Sequence, residues 1–215
     1  MIQFYKSILF LFLSLTLLSS CKKEVELKEQ IAVDTFNYNA EQFADVQVLR
    51  YQIPDFNKLT SKQKELVYYL TQAGLAGRDI MYDQNHRHNL KIRRTFEHIY
   101  TTYQGDKTTE DWKNFEILLK RIWFSNGIHH HYSNDKFKPD FTKEYLETLL
   151  KETNLSLSTE IIEVLFDNKD AKKVNLDPTK DLVLGSAINF YGPDITEKDV
   201  DNYYSKIIED RKSVV

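Results

Sequence analysis

The sequence predicts an α+β fold in which helices dominate, and three observations carry that prediction. Six glycines and four prolines in 215 residues are few for a protein built of hairpins and tight turns, which need both. Apolar residues recur at three- and four-residue spacing over most of the chain from Thr60 onward, with serine or threonine at the expected starts. One stretch, 181–191, departs from that period: Leu182, Val183 and Leu184, then Ala187, Ile188, Phe190 and Tyr191 after Gly185, read as a buried strand kinked at the glycine.

The elements follow in order. Thr60 with Gln63 forms a capping box ahead of Leu66, Val67, Leu70, Ala73, Gly74, Gly77, Ile80 and Met81, which reads as one long amphipathic helix. Gly74 and Gly77 each weaken a helix by about 1 kcal/mol, so a close-packed neighbour is expected on that face. A second helix is expected over about 89–103, ended by Gly105. A third, over about 109–126, has Gly127 as its C-terminal cap and a core stripe of Trp112, Phe115, Leu118, Leu119, Ile122 and Trp123. Thr142 opens a fourth helix carrying Tyr145, Leu146, Leu149 and Leu150. Ser158 opens a fifth with Ile161, Ile162, Val164, Leu165 and Phe166, and Thr196-x-x-Asp199 opens a last one through Tyr203, Tyr204, Ile207 and Ile208.

Composition excludes several functions. The chain is 41% hydrophobic, 13% aromatic and 28% charged, as a folding chain is and a disordered one is not. Its net charge of −3 gives no electrostatic reason to expect nucleic acid as a partner. Residues 1–20 read as a signal peptide, with Lys6 the only charge and an eleven-residue apolar and small run over 8–18. At 1.5 Å per residue that run spans about 16 Å, too short for a hydrocarbon core of about 30 Å. Leu18-Ser19-Ser20-Cys21 resembles a bacterial lipobox, so Cys21, the one cysteine, is the expected lipidation site; the alternative is an incidental thiol behind an ordinary signal peptide. Acyl chains contribute about 0.8 kcal/mol per buried methylene and would hold the protein on a membrane of the bacterial envelope. Residues 21–40, charged from Lys22 to Gln30, read as a linker, and 41–209 as the folded part.

Chemistry is harder to find. His129, His130 and His131 are adjacent, and adjacent side chains diverge on a strand or loop and lie about 100° apart on a helix, so one metal takes two of them at most. His86 and His88 are spaced for a strand in what reads as a loop. No histidine is followed by glutamate, so these imidazoles are expected to be solvated or hydrogen-bonded, with no metal assigned to them. There is no Gly-x-Ser-x-Gly elbow, no phosphate loop and no dinucleotide fingerprint. Lys91, Arg93 and Arg94, with Tyr100 and Tyr103, offer either an anion contact or a solvated helix face. No catalytic residue is assigned.

Several strings are more specific. Phe43-Ala-Asp-Val-Gln-Val-Leu-Arg-Tyr-Gln-Ile-Pro54, Lys64-Glu-Leu-Val-Tyr-Tyr-Leu70, Gly77-Arg-Asp-Ile80 with Asp83-Gln-Asn85, Lys91-Ile-Arg-Arg94, and Trp123-Phe-Ser-Asn-Gly-Ile-His-His-His-Tyr132 with Lys136-Phe137 resemble the N-terminal part of bacterial dipeptidyl peptidase III. The resemblance covers about 43–208. It implies a two-lobed zinc exopeptidase that releases dipeptides from the N-termini of oligopeptides, with this segment in the mixed lobe and the strand near 181–191 in its β-core. The family's zinc would activate water and polarise the scissile carbonyl, and the oligopeptide would lie extended along a strand edge. The family's zinc lies on a His-Glu-x-x-Gly-His helix completed by a later Glu-Glu motif. Neither dipeptide occurs here, so the chain is expected to be an inactive N-terminal fragment that binds no zinc. Residues 210–215 are expected to be a non-native tail. The alternatives are a non-catalytic lipid-anchored peptide-binding protein and an independent metal-binding protein using His129, His130 and His131. If 181–191 pairs with strands from later residues, the isolated chain leaves an open sheet edge and folds poorly.

Overall fold

The structure, a computed structural model, describes residues 36–167 and 172–212. The signal segment 1–20, Cys21, most of the linker and residues 213–215 lie outside the described residues. From Tyr38 onward the chain forms one unit. It opens with an antiparallel hairpin of β1 (Asn39–Phe43) and β2 (Val46–Leu49), in register Phe43 with Val46 and Glu41 with Val48, and carrying a bulge near Asn39. After a short 3-10 turn at Phe56–Lys58, seven α-helices follow among the described residues: α1 Ser61–Ala76, α2 Arg78–Asn85, α3 Asn89–Thr102, α4 Glu110–Ser125, α5 Lys143–Glu152, α6 Thr159–Phe166 and α7 Glu197–Lys212. The fold is α+β with helices dominant, and the hairpin is its one sheet among the described residues.

The helix starts are set locally. Thr109 accepts from the backbone N–H of Trp112, Thr142 from that of Tyr145 and Ser158 from that of Ile161, each satisfying a donor that the first turn leaves free. Thr60 and Gln63 exchange hydrogen bonds as a capping box at α1, and Asp199 with Thr196 does the same at α7. At the end of α4 the left-handed residue is Asn126 (φ 54°), one position before the expected Gly127. Asparagine visits this conformation more readily than other residues with a Cβ, and its Oδ1 here accepts from Arg78, 48 positions away.

The core lies among α3, α4, α5 and α6. Ile92, Phe96 and Ile99 face Trp112, Phe115, Leu118, Leu119 and Ile122, and Leu146, Leu149, Ile161, Ile162 and Leu165 close the other side. An aromatic row runs through it: Tyr103 stacks on Trp112 at 4.9 Å between centroids, Trp112 meets Phe115 at 5.4 Å, and Phe115 meets Phe96 at 5.0 Å and Phe141 at 5.9 Å. Of the expected α4 stripe only Trp123 is half-buried; its indole N–H donates to Glu97 at 2.8 Å. The hairpin docks beside α4 through the buried Phe43, with Asp45 on Arg121 at 2.7 Å and Glu41 on Lys120.

Three expectations are corrected. The long helix from Thr60 is two helices that meet at Gly77, because α2 turns Tyr82 into the core while α1 buries none of its residues. No side chain presses on Gly74: a Cβ placed there meets nothing within 4 Å. Residues 181–191 form turns and irregular backbone with no strand. The Asp181 carboxylate accepts from the N–H groups of Val183 and Leu184, both at 2.9 Å, and from that of Glu197, so it folds the apolar run over itself. Three backbone donors also hold this carboxyl below the usual carboxylate range. Gly185 is required there, since a Cβ would stand 2.6 Å from the Asp181 carbonyl. The open sheet edge expected from this stretch is therefore absent among the described residues, although Leu182, Leu184, Phe190 and Tyr191 stay exposed.

Candidate functional site

Five of the six histidines gather where residues 172–193 lie against the helical core. His86 and His88 sit in the loop between α2 and α3, and His86 is buried. After α4 the chain doubles back: Phe137 N–H donates to Ile128 O at 2.8 Å and His129 bridges Lys136. This doubling back brings buried His129 to 5.7 Å from His86, ring to ring, while His88 lies 5.4 Å from His86 on its other side. His130 stacks on His131 at 4.6 Å.

Four of these rings have a hydrogen-bonding or electrostatic setting that the structure shows. His86 Nδ1 accepts from the backbone N–H of His88 at 3.1 Å. His130 Nδ1 accepts from the N–H groups of Tyr132 and Ser133 at 3.2 and 3.1 Å. His88 Nε2 lies 3.1 Å from Glu160 Oε1, which also pairs with Arg87. His131 is held below the ordinary imidazole value by burial first, then by His130 and by Lys173. His129 thus meets His86 while His130 and His131 stack on each other, and among the described residues no group of three His, Cys, Asp or Glu is arranged to hold a metal ion.

Asn89 ties this region to the core. It is fully buried at the first turn of α3, donates through Nδ2 to Tyr82 O at 3.1 Å and accepts through Oδ1 from Ile128 N–H at 3.0 Å. Gly127 passes so close that a Cβ there would stand 2.2 Å from Asn89 Nδ2, and its φ of +145° suits glycine alone. Sequence reasoning missed Asn89. A polar residue at the predicted start of a helix reads as a cap, and its burial depends on a loop 39 positions away.

Beside the histidines lies a cleft of about 620 Å³, its walls formed by His86, Arg87 and Val164 on one side and residues between Val174 and Pro193 on the other. Most of its wall is aliphatic, from Val164, Val174, Leu182 and Ile188, with the amides of Asn175 and Asn189 as polar points. The cationic run behaves differently. Asp79 takes Arg93 at 2.8 Å and Arg94 at 2.6 Å, which hold its carboxyl below the usual range, Arg94 foremost. Tyr103 is buried against Trp112 and Tyr100 packs on both tryptophans, so the anion contact considered for this run is taken by the protein's own carboxylate.

No family model matches the chain, and no curated protein matches it. Cys21 lies outside the described residues, and no helix among those described is long and apolar enough to cross a membrane.

Proposed function

We propose that this chain is the N-terminal part of a lipid-anchored, zinc-dependent peptidase similar to dipeptidyl peptidase III, which would release dipeptides from oligopeptides at the bacterial cell envelope. The observation that carries the reading, beside the strings at 43–54, 64–70 and 123–132, is the apolar surface left open. Leu66, Val67, Tyr69, Leu70, Leu75, Ile80 and Met81 on α1 and α2 are all exposed, as are Tyr203, Tyr204 and Ile208 on α7. Patches of this kind mark faces that another body of protein covers, and the second lobe of such an enzyme would supply one. The zinc and the groups that activate water would come from that lobe; the segment described here would build one side of the substrate cleft.

The decisive experiment is a long read of the source gene through the codon for Glu209 and beyond. Continuation into His-Glu-x-x-Gly-His and the Glu-Glu motif is the expected result. A genuine stop after Val215 overturns it and favours the second reading, a non-catalytic lipoprotein that binds oligopeptides. The aliphatic cleft of about 620 Å³ with its two asparagine amides supports that alternative. Calorimetric titration of the anchored chain with mixed oligopeptides then reports binding without hydrolysis.

The open face of α1 gives a separate prediction. Leu66→Lys with Leu70→Lys changes the stability of this chain by less than about 0.5 kcal/mol, since both side chains are more than half exposed. Light scattering shows less self-association at equal concentration. A loss of several kcal/mol in urea titration would mean that α1 is packed against the core.

A further inference from the structure

The cleft of about 620 Å³ beside the histidines carries one full charge among its described lining residues, the cation Arg87, and no carboxylate. Its size falls in the range of small-molecule sites, and its wall is mostly aliphatic, from Val164 on α6 and from Val174, Leu182 and Ile188. An apolar wall excludes water, so the few polar groups still unengaged decide what such a cleft holds.

The main chain is not among those groups. Every backbone N–H from Leu182 to Asn189 already donates within the protein: the Glu197 and Asp181 carboxylates take the first three, and the carbonyls of Asp181, Val183, Lys172, Lys173 and Gln84 take the rest. This wall therefore presents no row of donors to an extended peptide backbone, which strand addition requires. Two lining side chains are engaged as well. Ser186 Oγ accepts from Asn175 N–H at 2.8 Å and donates to Leu182 O at 2.6 Å. The Asn175 carboxamide accepts from Asp177 N–H at 3.1 Å and donates to Asp181 O at 3.4 Å.

Arg87 and Asn189 differ. The Arg87 guanidinium gives Nη2 to Glu160 Oε1 at 3.1 Å and makes no other hydrogen bond among the described residues. One oxygen on one nitrogen leaves the guanidinium fork open to a second acceptor. The Asn189 carboxamide makes no hydrogen bond among the described residues, although the backbone N–H of the same residue is fixed on Gln84 O at 2.8 Å. We propose that this cleft binds an aliphatic body ending in a carboxylate: the carboxylate on Arg87 and the Asn189 amide, the body along Val164, Val174, Leu182 and Ile188. Two sources carry that chemistry, a free fatty acid and the C-terminal aliphatic residue of an oligopeptide. The second rests on the oligopeptide-binding reading; the first stands without it.

Methyl NMR of the full chain in phosphatidylcholine nanodiscs tests the site, because shifts at Val164, Leu182 and Ile188 report the cleft and not the bilayer. Octanoate is expected to shift these methyls and to bind about fivefold or more tighter than octanol, the same chain without the charge. Arg87→Gln and, separately, Asn189→Asp are expected to cut that preference below about twofold, since one removes the cation and the other adds an anion to the same lining. Both positions are exposed, so neither change is expected to unfold the chain. Leu66→Lys with Leu70→Lys keeps the parent's preference, which separates the cleft from the open face of α1. A parent that binds octanol as tightly as octanoate overturns the proposal, as does an Arg87→Gln variant that keeps the parent's preference or the absence of any shift at these methyls. An acetylated aliphatic tripeptide, as free acid and as C-terminal amide, separates the sources. Tighter binding of the free acid than of octanoate assigns the site to peptide C-termini, and weaker binding assigns it to fatty acids. Tripeptide binding that the amide matches, without an octanoate shift, keeps the oligopeptide-binding reading and overturns the carboxylate site.

Discussion

Phe115→Ala is expected to destabilise the protein by about 3–5 kcal/mol, the range for truncating a buried phenylalanine whose site collapses poorly. Phe115 is fully buried at the middle of α4 and meets three other aromatic rings, Phe96, Trp112 and Phe141, from α3, its own helix and the loop before α5. Rings held by several elements at once do not close over a void without moving those helices. Domains of this size hold about 5–15 kcal/mol in all, so the loss is a large share of the total. Urea titration followed by tryptophan fluorescence measures it directly, since Trp112 lies against the ring removed. A change under about 1 kcal/mol would show that the aromatic row is not the centre of the core.

Asn89→Ala is expected to cost about 2–6 kcal/mol, for a different physical reason. The side chain satisfies two backbone groups, Tyr82 O and Ile128 N–H, in a place water does not reach. Leaving a buried donor or acceptor without a partner costs about 1–3 kcal/mol for each group. Gly127→Ala strikes the same junction from the other side, where the new Cβ meets Asn89 Nδ2 and the backbone stays at φ +145°. The two substitutions share one contact, so their effects are not additive: in the Asn89→Ala background the clash is gone and only the backbone strain remains. A double-mutant cycle on urea midpoints checks this. Additive losses would mean that Asn89 and Gly127 do not touch.

Much of the helical architecture was legible in the chain. Thr60, Thr109, Thr142, Ser158 and Thr196 each mark a helix start by placing an oxygen before a run of apolar residues at helical spacing. The stripe on α4 reads as core because its residues are large, apolar and nearly all on one side. The hairpin was not legible, because its turn places Ala44 at φ 46°, where a sequence signal would be Asn-Gly or Asp-Gly. At 181–191 the apolar run has the composition of a strand, yet one carboxylate at Asp181 gathers three backbone donors and makes a turn of it.

The candidate site divides along the same line. Sequence alone determined that the chain has a single cysteine, Cys21, and three adjacent histidines; that His130 and His131 stack on each other is a feature of the fold. It also determined which segments are helical, because capping and periodicity act within a few residues. Only the tertiary structure decided that His86 and His129 meet, that residues 172–193 hydrogen-bond to Asn134 and Gln84, and that the apolar face of α1 stays open. Local order follows from interactions between residues three or four apart. Meeting, docking and exposure depend on groups that lie tens of positions away along the chain, and no short-range pattern encodes them.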